Sequence, residues 1–74
     1  MTRLPTLHPR KIIKALEQAG FVFDRQTGSH FILRQPVTRQ TTCVPKHGKD
    51  VKRGLMKEIL RQAGLTEEAF RNLL

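Results

Sequence analysis

Residues 21–45 read FVFDRQTGSHFILRQPVTRQTTCVP, and the way this stretch divides decides the fold. FVFDRQ and SHFILRQ are rich in aromatic and β-branched residues, and Thr27-Gly28 between them has the composition of a tight hairpin turn. Pro36 breaks the second run. A third, RQTTCV, extends from about Arg39 to Val44 before Pro45 closes it. Three adjacent antiparallel strands of this kind make a meander. Alternation along the second strand puts His30, Ile32 and Arg34 on one side and Ser29, Phe31 and Leu33 on the other. The Phe31 and Leu33 side is the better core face, so His30 is expected on the solvent-accessible face or at the edge of a groove. From residues alone this imidazole has three readings: a core filler, a metal ligand or a catalytic base.

Working outward, helical patterns flank the meander. In LHPRKIIKALEQAGF, Pro9 suits the first helical position and Leu7 can staple onto Ile12 across the first turn, with His8 a helix-start residue. Ile12, Ile13, Leu16 and Ala19 form an apolar stripe, and Gly20 is a natural stop. After the loop PKHGKD, the stretch VKRGLMKEILRQAG resumes a helical period. Leu55, Ile59 and Ala63 form its stripe, flanked by Met56 and Leu60. Its start falls between Asp50 and Gly54, and Gly64 ends it. Thr66 can cap a short terminal helix with Glu67 and Glu68 in its first turn, leaving Phe70, Leu73 and Leu74 to dock. The expectation is an α+β fold of order α-β-β-β-α with a short C-terminal helix. Both main helices should cover one face of a three-stranded antiparallel sheet.

A chain of 74 residues is read as a single domain, 1–74, whose core needs most of its aliphatic and Phe side chains. A hydrophobic content of 38% suits a folded rather than a disordered chain. Fourteen Lys and Arg against six Asp and Glu give a net charge of +8. Nucleic acid is the commonest partner for such a balance, because each cation placed on a phosphate releases a condensed counterion; a merely solubilising surface is the plainer reading. No apolar run of membrane-spanning length and no signal peptide is seen, so the expectation is a cytoplasmic protein with no membrane partner. Cys43 is the only cysteine, which rules out an internal disulfide and a cysteine-based zinc site. Histidines could hold a metal only if His30 and His47 converged with an oxygen from Asp24 or Asp50. No compact ligand spacing points that way, so no metal or other cofactor is expected.

Four segments carry a family resemblance: LEQAGF at residues 16–21, GSH at 28–30 opening a strand, VPKH at 44–47 and KRGLMKEILRQAGLTEEAF at 52–70. In this order and spacing they look like a HicA-type toxin, also described as YcfA-like, the small mRNA interferase of HicA and HicB toxin–antitoxin pairs. The likeness spans residues 9–70. The family pattern usually has GTL where this chain reads Gly54-Leu55-Met56, so a Thr able to cap the last main helix is replaced. The resemblance implies a double-stranded-RNA-binding-domain-like (dsRBD-like) fold and a type II toxin whose endoribonuclease activity on mRNA blocks translation. It implies His30 as the catalytic residue and a HicB-like antitoxin as protein partner. DNA contact would come only indirectly, through the antitoxin complex.

The chemistry fits those implications. RNA carries its own nucleophile, the 2′-hydroxyl, so one positioned base and some cations suffice to cut it. Imidazole, with an ordinary pKa of about 6.5, suits proton transfer near neutrality. Lys46, Lys49, Lys52 and Arg53 surround His47 in sequence and are read as a phosphate cradle. His47 is either a general acid for the leaving oxygen or a loop residue packing on the helix start. Ser29 either donates to phosphate or satisfies local backbone. Gly28 serves the turn, with close approach of RNA backbone a second reading. The alternatives to an enzyme are a non-catalytic module binding duplex RNA by shape and a protein-interaction adaptor.

Overall fold

The computed structural model describes residues 6–46 and 48–74. The elements follow in the order α1 (Pro9–Gln18), β1 (Val22–Thr27), β2 (His30–Arg34), β3 (Thr41–Pro45), α2 (Arg53–Ala63) and α3 (Glu67–Arg71). The strands form one antiparallel sheet in the order β1-β2-β3, which is the α-β-β-β-α arrangement read from periodicity.

Local chemistry explains where each element starts and stops. Pro9 is the first residue of α1, and His8 does more than lead into the helix: its Nδ1 accepts the Arg10 backbone N–H at 3.1 Å. That bond satisfies one of the orphan donors of the first turn and requires Nδ1 to be unprotonated. At the other end, the Phe21 N–H donates to the Leu16 carbonyl at 3.0 Å. The chain therefore doubles back and buries Phe21, and β1 begins one residue later than the sequence run, at Val22. The third strand begins at Thr41 rather than Arg39. Arg39 adopts a left-handed conformation, φ 64°, with its N–H donating to the Gln35 carbonyl at 2.7 Å, and such a residue cannot extend a strand. The Gln35 side-chain amide donates to the Ala19 carbonyl at 3.0 Å, tying this loop to the end of α1.

The core joins Ile12, Ala15 and Leu16 of α1, Phe21, Leu33 of β2, Val44 of β3, Val51, four residues of α2 and Phe70 of α3. Both main helices thus pack on the Leu33 and Val44 face of the sheet. In α2 the buried residues are Met56, Ile59, Leu60 and Ala63, while Leu55 is 45% exposed. This corrects the stripe expected from the sequence. Spacing i, i+3, i+4, i+7 from Met56 is the face of a helix that meets the sheet, and Leu55 lies one residue off it. Lys52 is the N-cap of α2 and forms no side-chain cap bond; position 55 is the third residue of the helix, so a Thr there would not stand at the cap, contrary to the expectation. Thr66 does cap α3, its hydroxyl accepting from the Ala69 N–H at 3.0 Å.

One buried polar side chain links β3 to α2. The Thr42 hydroxyl is fully buried and lies 3.1 Å from both the Ile59 carbonyl and Gln62 Oε1. Gln62 Oε1 also accepts the Cys43 N–H at 3.3 Å, so α2 satisfies part of the outer edge of the sheet, which would otherwise offer unpaired backbone groups. By contrast β1 forms the other edge, and every one of its residues is exposed.

Candidate functional site

The β1–β2 hairpin turns through two residues, Gly28 and Ser29, between the paired ends Thr27 and His30. Gly28 has φ 55°, whereas Ser29 is not among the positive-φ residues. A positive first and negative second position is the sign pattern of a type II′ loop, which favours Gly first and matches the twist of the strands. A Cβ placed on Gly28 would meet nothing within 4 Å, so the backbone there faces open space.

His30, the first residue of β2, is exposed. It pairs with Thr27 on one side and Pro45 on the other. Cross-strand partners share a face, so that face also carries Arg25, Ile32 and Cys43 in one row and Arg34 with Thr41 in the next. It is the face turned away from the helices. Ile32 is only 6% exposed, yet it stands outside the core cluster: it is shielded within the open face, flanked by Arg25 and Cys43.

Phe23 leaves this face by a route that alternation does not show. The register of β1 against β2 shifts between Phe23 and Arg25, leaving Asp24 as an extra residue, a β-bulge. Without it Phe23, Arg25 and Thr27 would share one face. With it, Phe23 pairs with Leu33 on the helix side while Arg25 pairs with Ile32 on the His30 side. Asp24 holds Arg25 in an exposed ion pair at 2.5 Å.

The basic residues singled out from the sequence are distributed differently. The Lys46 N–H donates to the Ser29 carbonyl at 2.6 Å, which brings the end of β3 against the hairpin turn. Its ammonium, however, lies 5.9 Å from the centre of the Phe31 ring, and Phe31 packs against the core, on the side opposite His30. Lys52 and Arg53 open α2 and belong to the helical layer. Lys49 is exposed in the intervening loop. His47 lies outside the described residues. The hairpin and β3 thus bring Gly28, Ser29, His30 and the Lys46 backbone together, while the cations that share the His30 face are Arg25 and Arg34.

On the helix side, α1 and the sheet enclose a groove of about 620 Å³ lined by Pro9, Ile13 and Phe31, with Arg10, Lys14 and Lys46 among its polar residues. Phe23, 56% exposed, stands edge-on to Phe31 with ring centres 6.1 Å apart. His30 does not line this groove. Among the described residues no group of three or more His, Cys, Asp or Glu is placed to hold a metal ion. No helix among them is long and apolar enough to cross a membrane.

Residues 9–65 match the family model for the HicA toxin of bacterial toxin–antitoxin systems. The chain belongs to the HicA toxin family. The span matched to HicA runs from the first residue of α1 to just past the end of α2 and takes in the whole sheet, leaving α3 outside. Of the curated proteins, none matches the chain. For a HicA toxin the GSH triplet acquires a structural meaning here: Gly makes the loop, Ser completes it, and the histidine is the first side chain to emerge on the open face.

Proposed function

We propose that this chain is the toxin of a type II toxin–antitoxin pair and acts in the cytoplasm as a metal-independent endoribonuclease. It cleaves mRNA and so inhibits translation, with His30 as the general base or acid and a HicB-like antitoxin as its neutralising partner. One observation carries the reading: within a HicA-family chain, the exposed His30 imidazole heads a strand on the sheet face turned from the helices, beside a turn whose backbone is open.

The chemistry needs few groups. His30 accepts the proton of a ribose 2′-hydroxyl as the 2′-oxygen forms a bond to phosphorus, and the bond from phosphorus to the 5′-oxygen breaks. The departing 5′-oxygen takes up a proton, for which His47 is the candidate donor, and Ser29 is the candidate hydrogen-bond donor to the phosphate. The products are a 2′,3′-cyclic phosphate and a 5′-hydroxyl. No external nucleophile is required, so a metal-bound hydroxide has no necessary part. The charge of +8 supplies the attraction for RNA, with Lys46, Lys49, Lys52 and Arg53 as candidate contacts for phosphates away from the one that is cleaved. DNA is met only through the antitoxin complex, and the whole chain 1–74 acts as one domain.

Inducible expression of wild type and His30→Ala, with primer-extension mapping of mRNA ends, tests the reading. New mRNA ends should appear with wild type and vanish with the variant, while purified His30→Ala still binds RNA. Cleavage should persist in chelator. Unchanged mRNA decay on wild-type expression would favour a non-catalytic RNA-binding module instead.

A further inference from the structure

We propose that Arg25 is the cation that holds the scissile phosphate of a single-stranded RNA beside His30. The inference rests on the endoribonuclease reading and adds to it the charged group that the catalytic face requires. A base alone leaves the developing charge on the phosphorane oxygens unbalanced, and a preorganised cation at that point supplies a large share of such catalysis. The lysine read as nearest in sequence does not fill the role, since the Lys46 ammonium lies over Phe31 on the far side of the sheet.

Arg25 meets the geometric requirement. It pairs with Ile32, one step along β2 from the His30–Thr27 pair on the same face. Diagonal neighbours of that kind stand roughly 7–8 Å apart at the backbone, within reach of a long side chain. A phosphate seated between the two residues would accept the planar guanidinium fork through two oxygens. Its side chain is 62% exposed, so the guanidinium meets solvent and ligand alike. Arg25 shares the face of His30 by alternation from Thr27, and the bulge at Asp24 clears that face by sending Phe23 to the helix side; bulges are recurrent beside sites where a side chain must be re-aimed. The Asp24 carboxylate holds Arg25 in the absence of RNA. A surface pair of this sort is weak, and phosphate displaces it.

Single-turnover cleavage of a single-stranded RNA oligonucleotide by the full chain provides the test, with wild type and His30→Ala as references. Arg25→Ala should cut roughly 100-fold more slowly, with RNA affinity reduced only severalfold and the fold retained by circular dichroism. Arg25→Lys should recover part of the loss, and millimolar guanidinium added to Arg25→Ala should recover more. Lys57→Ala, which removes an exposed cation of α2 in the helical layer, should leave the cleavage rate near wild type. Cleavage by Arg25→Ala within about twofold of wild type, or equal losses in Arg25→Ala and Lys57→Ala, overturns the assignment while the endoribonuclease reading stands. A wild-type chain that does not cut RNA overturns both.

Discussion

Gly28→Ala separates the two roles that a turn glycine can have in this site. Gly28 has φ 55°, so an alanine there costs about 1–2 kcal/mol of backbone strain, and with no atom within 4 Å of the new Cβ no steric cost is added. A domain of this length has a total stability of roughly 4–11 kcal/mol. Even at the low end, about 2 kcal/mol would remain, which keeps the folded fraction above ~95%. A large fall in cleavage therefore cannot come from unfolding. If RNA backbone passes over the turn to reach His30, the added methyl stands in its path, and single-turnover cleavage should drop tenfold or more. Urea unfolding gives the stability change in parallel. Gly64→Ala is the control: Gly64 has φ 71°, the Gln40 amide would have to move, and the site lies at the far end of α2. It should lose at least as much stability and cut RNA normally. A Gly28→Ala protein that loses the expected stability but cleaves within about twofold of wild type would show that Gly28 serves the turn alone.

In α2, Met56→Ala removes a fully buried side chain and should cost about 2–5 kcal/mol, whereas Leu55→Ala, at a position 45% exposed, should cost under about 1 kcal/mol. Urea midpoints with equal shifts for the two would contradict the packing of that helix. Thr42→Val keeps the shape of a buried residue and deletes its hydroxyl, leaving Gln62 Oε1 with the Cys43 N–H as its remaining donor from β3; the expected loss is about 1 kcal/mol by chemical denaturation, and a gain in stability would refute the linking role. The hydrogen bond from Arg61 holds the Glu58 carboxyl below its ordinary value of 4.5. A depressed folded-state value means that the contribution of Glu58 is present above the ordinary pKa and is lost as pH falls through the folded one. Glu58→Gln should therefore lower the thermal midpoint slightly at neutral pH, with the gap closing towards acid; a gap that widens on acidification is the contrary result.

Much of the fold was legible because its punctuation is local. Pro9, Gly20, Gly64 and Thr66 act through the conformations and bonds available within a few residues, and both ends of α1, the end of α2 and the start of α3 fall where those residues place them. The pairing of β1 with β2 followed from a two-residue turn, which leaves consecutive strands no choice but to pair, and the six residues 35–40 are short enough to return β3 beside β2. What escaped lay in tertiary context. The start of β3 depended on Arg39 taking a left-handed conformation, which composition favours only weakly for arginine. The buried face of α2 rotated by one residue because helical periodicity permits neighbouring stripes and the sheet chooses between them. His8 became a cap through a side-chain nitrogen, a role more often filled by Ser, Thr, Asp or Asn.

The candidate site shows the same division at closer range. The exposure of His30 followed from alternation, because β2 is regular and a period of two assigns every side chain once Leu33 is placed in the core. β1 is not regular, and alternation through FVFDRQT would put Phe23, Arg25 and Thr27 on one face. The bulge resolves a conflict between two demands on that strand: Phe23 has a ring partner, Phe31, on the helix side, while Arg25 belongs beside His30. Neither demand is local, so the extra residue has no signature in the strand's own composition. The hairpin consequently serves both faces of the sheet, setting Phe23 against Phe31 on the helix side and a histidine with an arginine on the open side. A regular hairpin of the same residues would bring an exposed phenylalanine to the His30 face and part it from its ring partner Phe31.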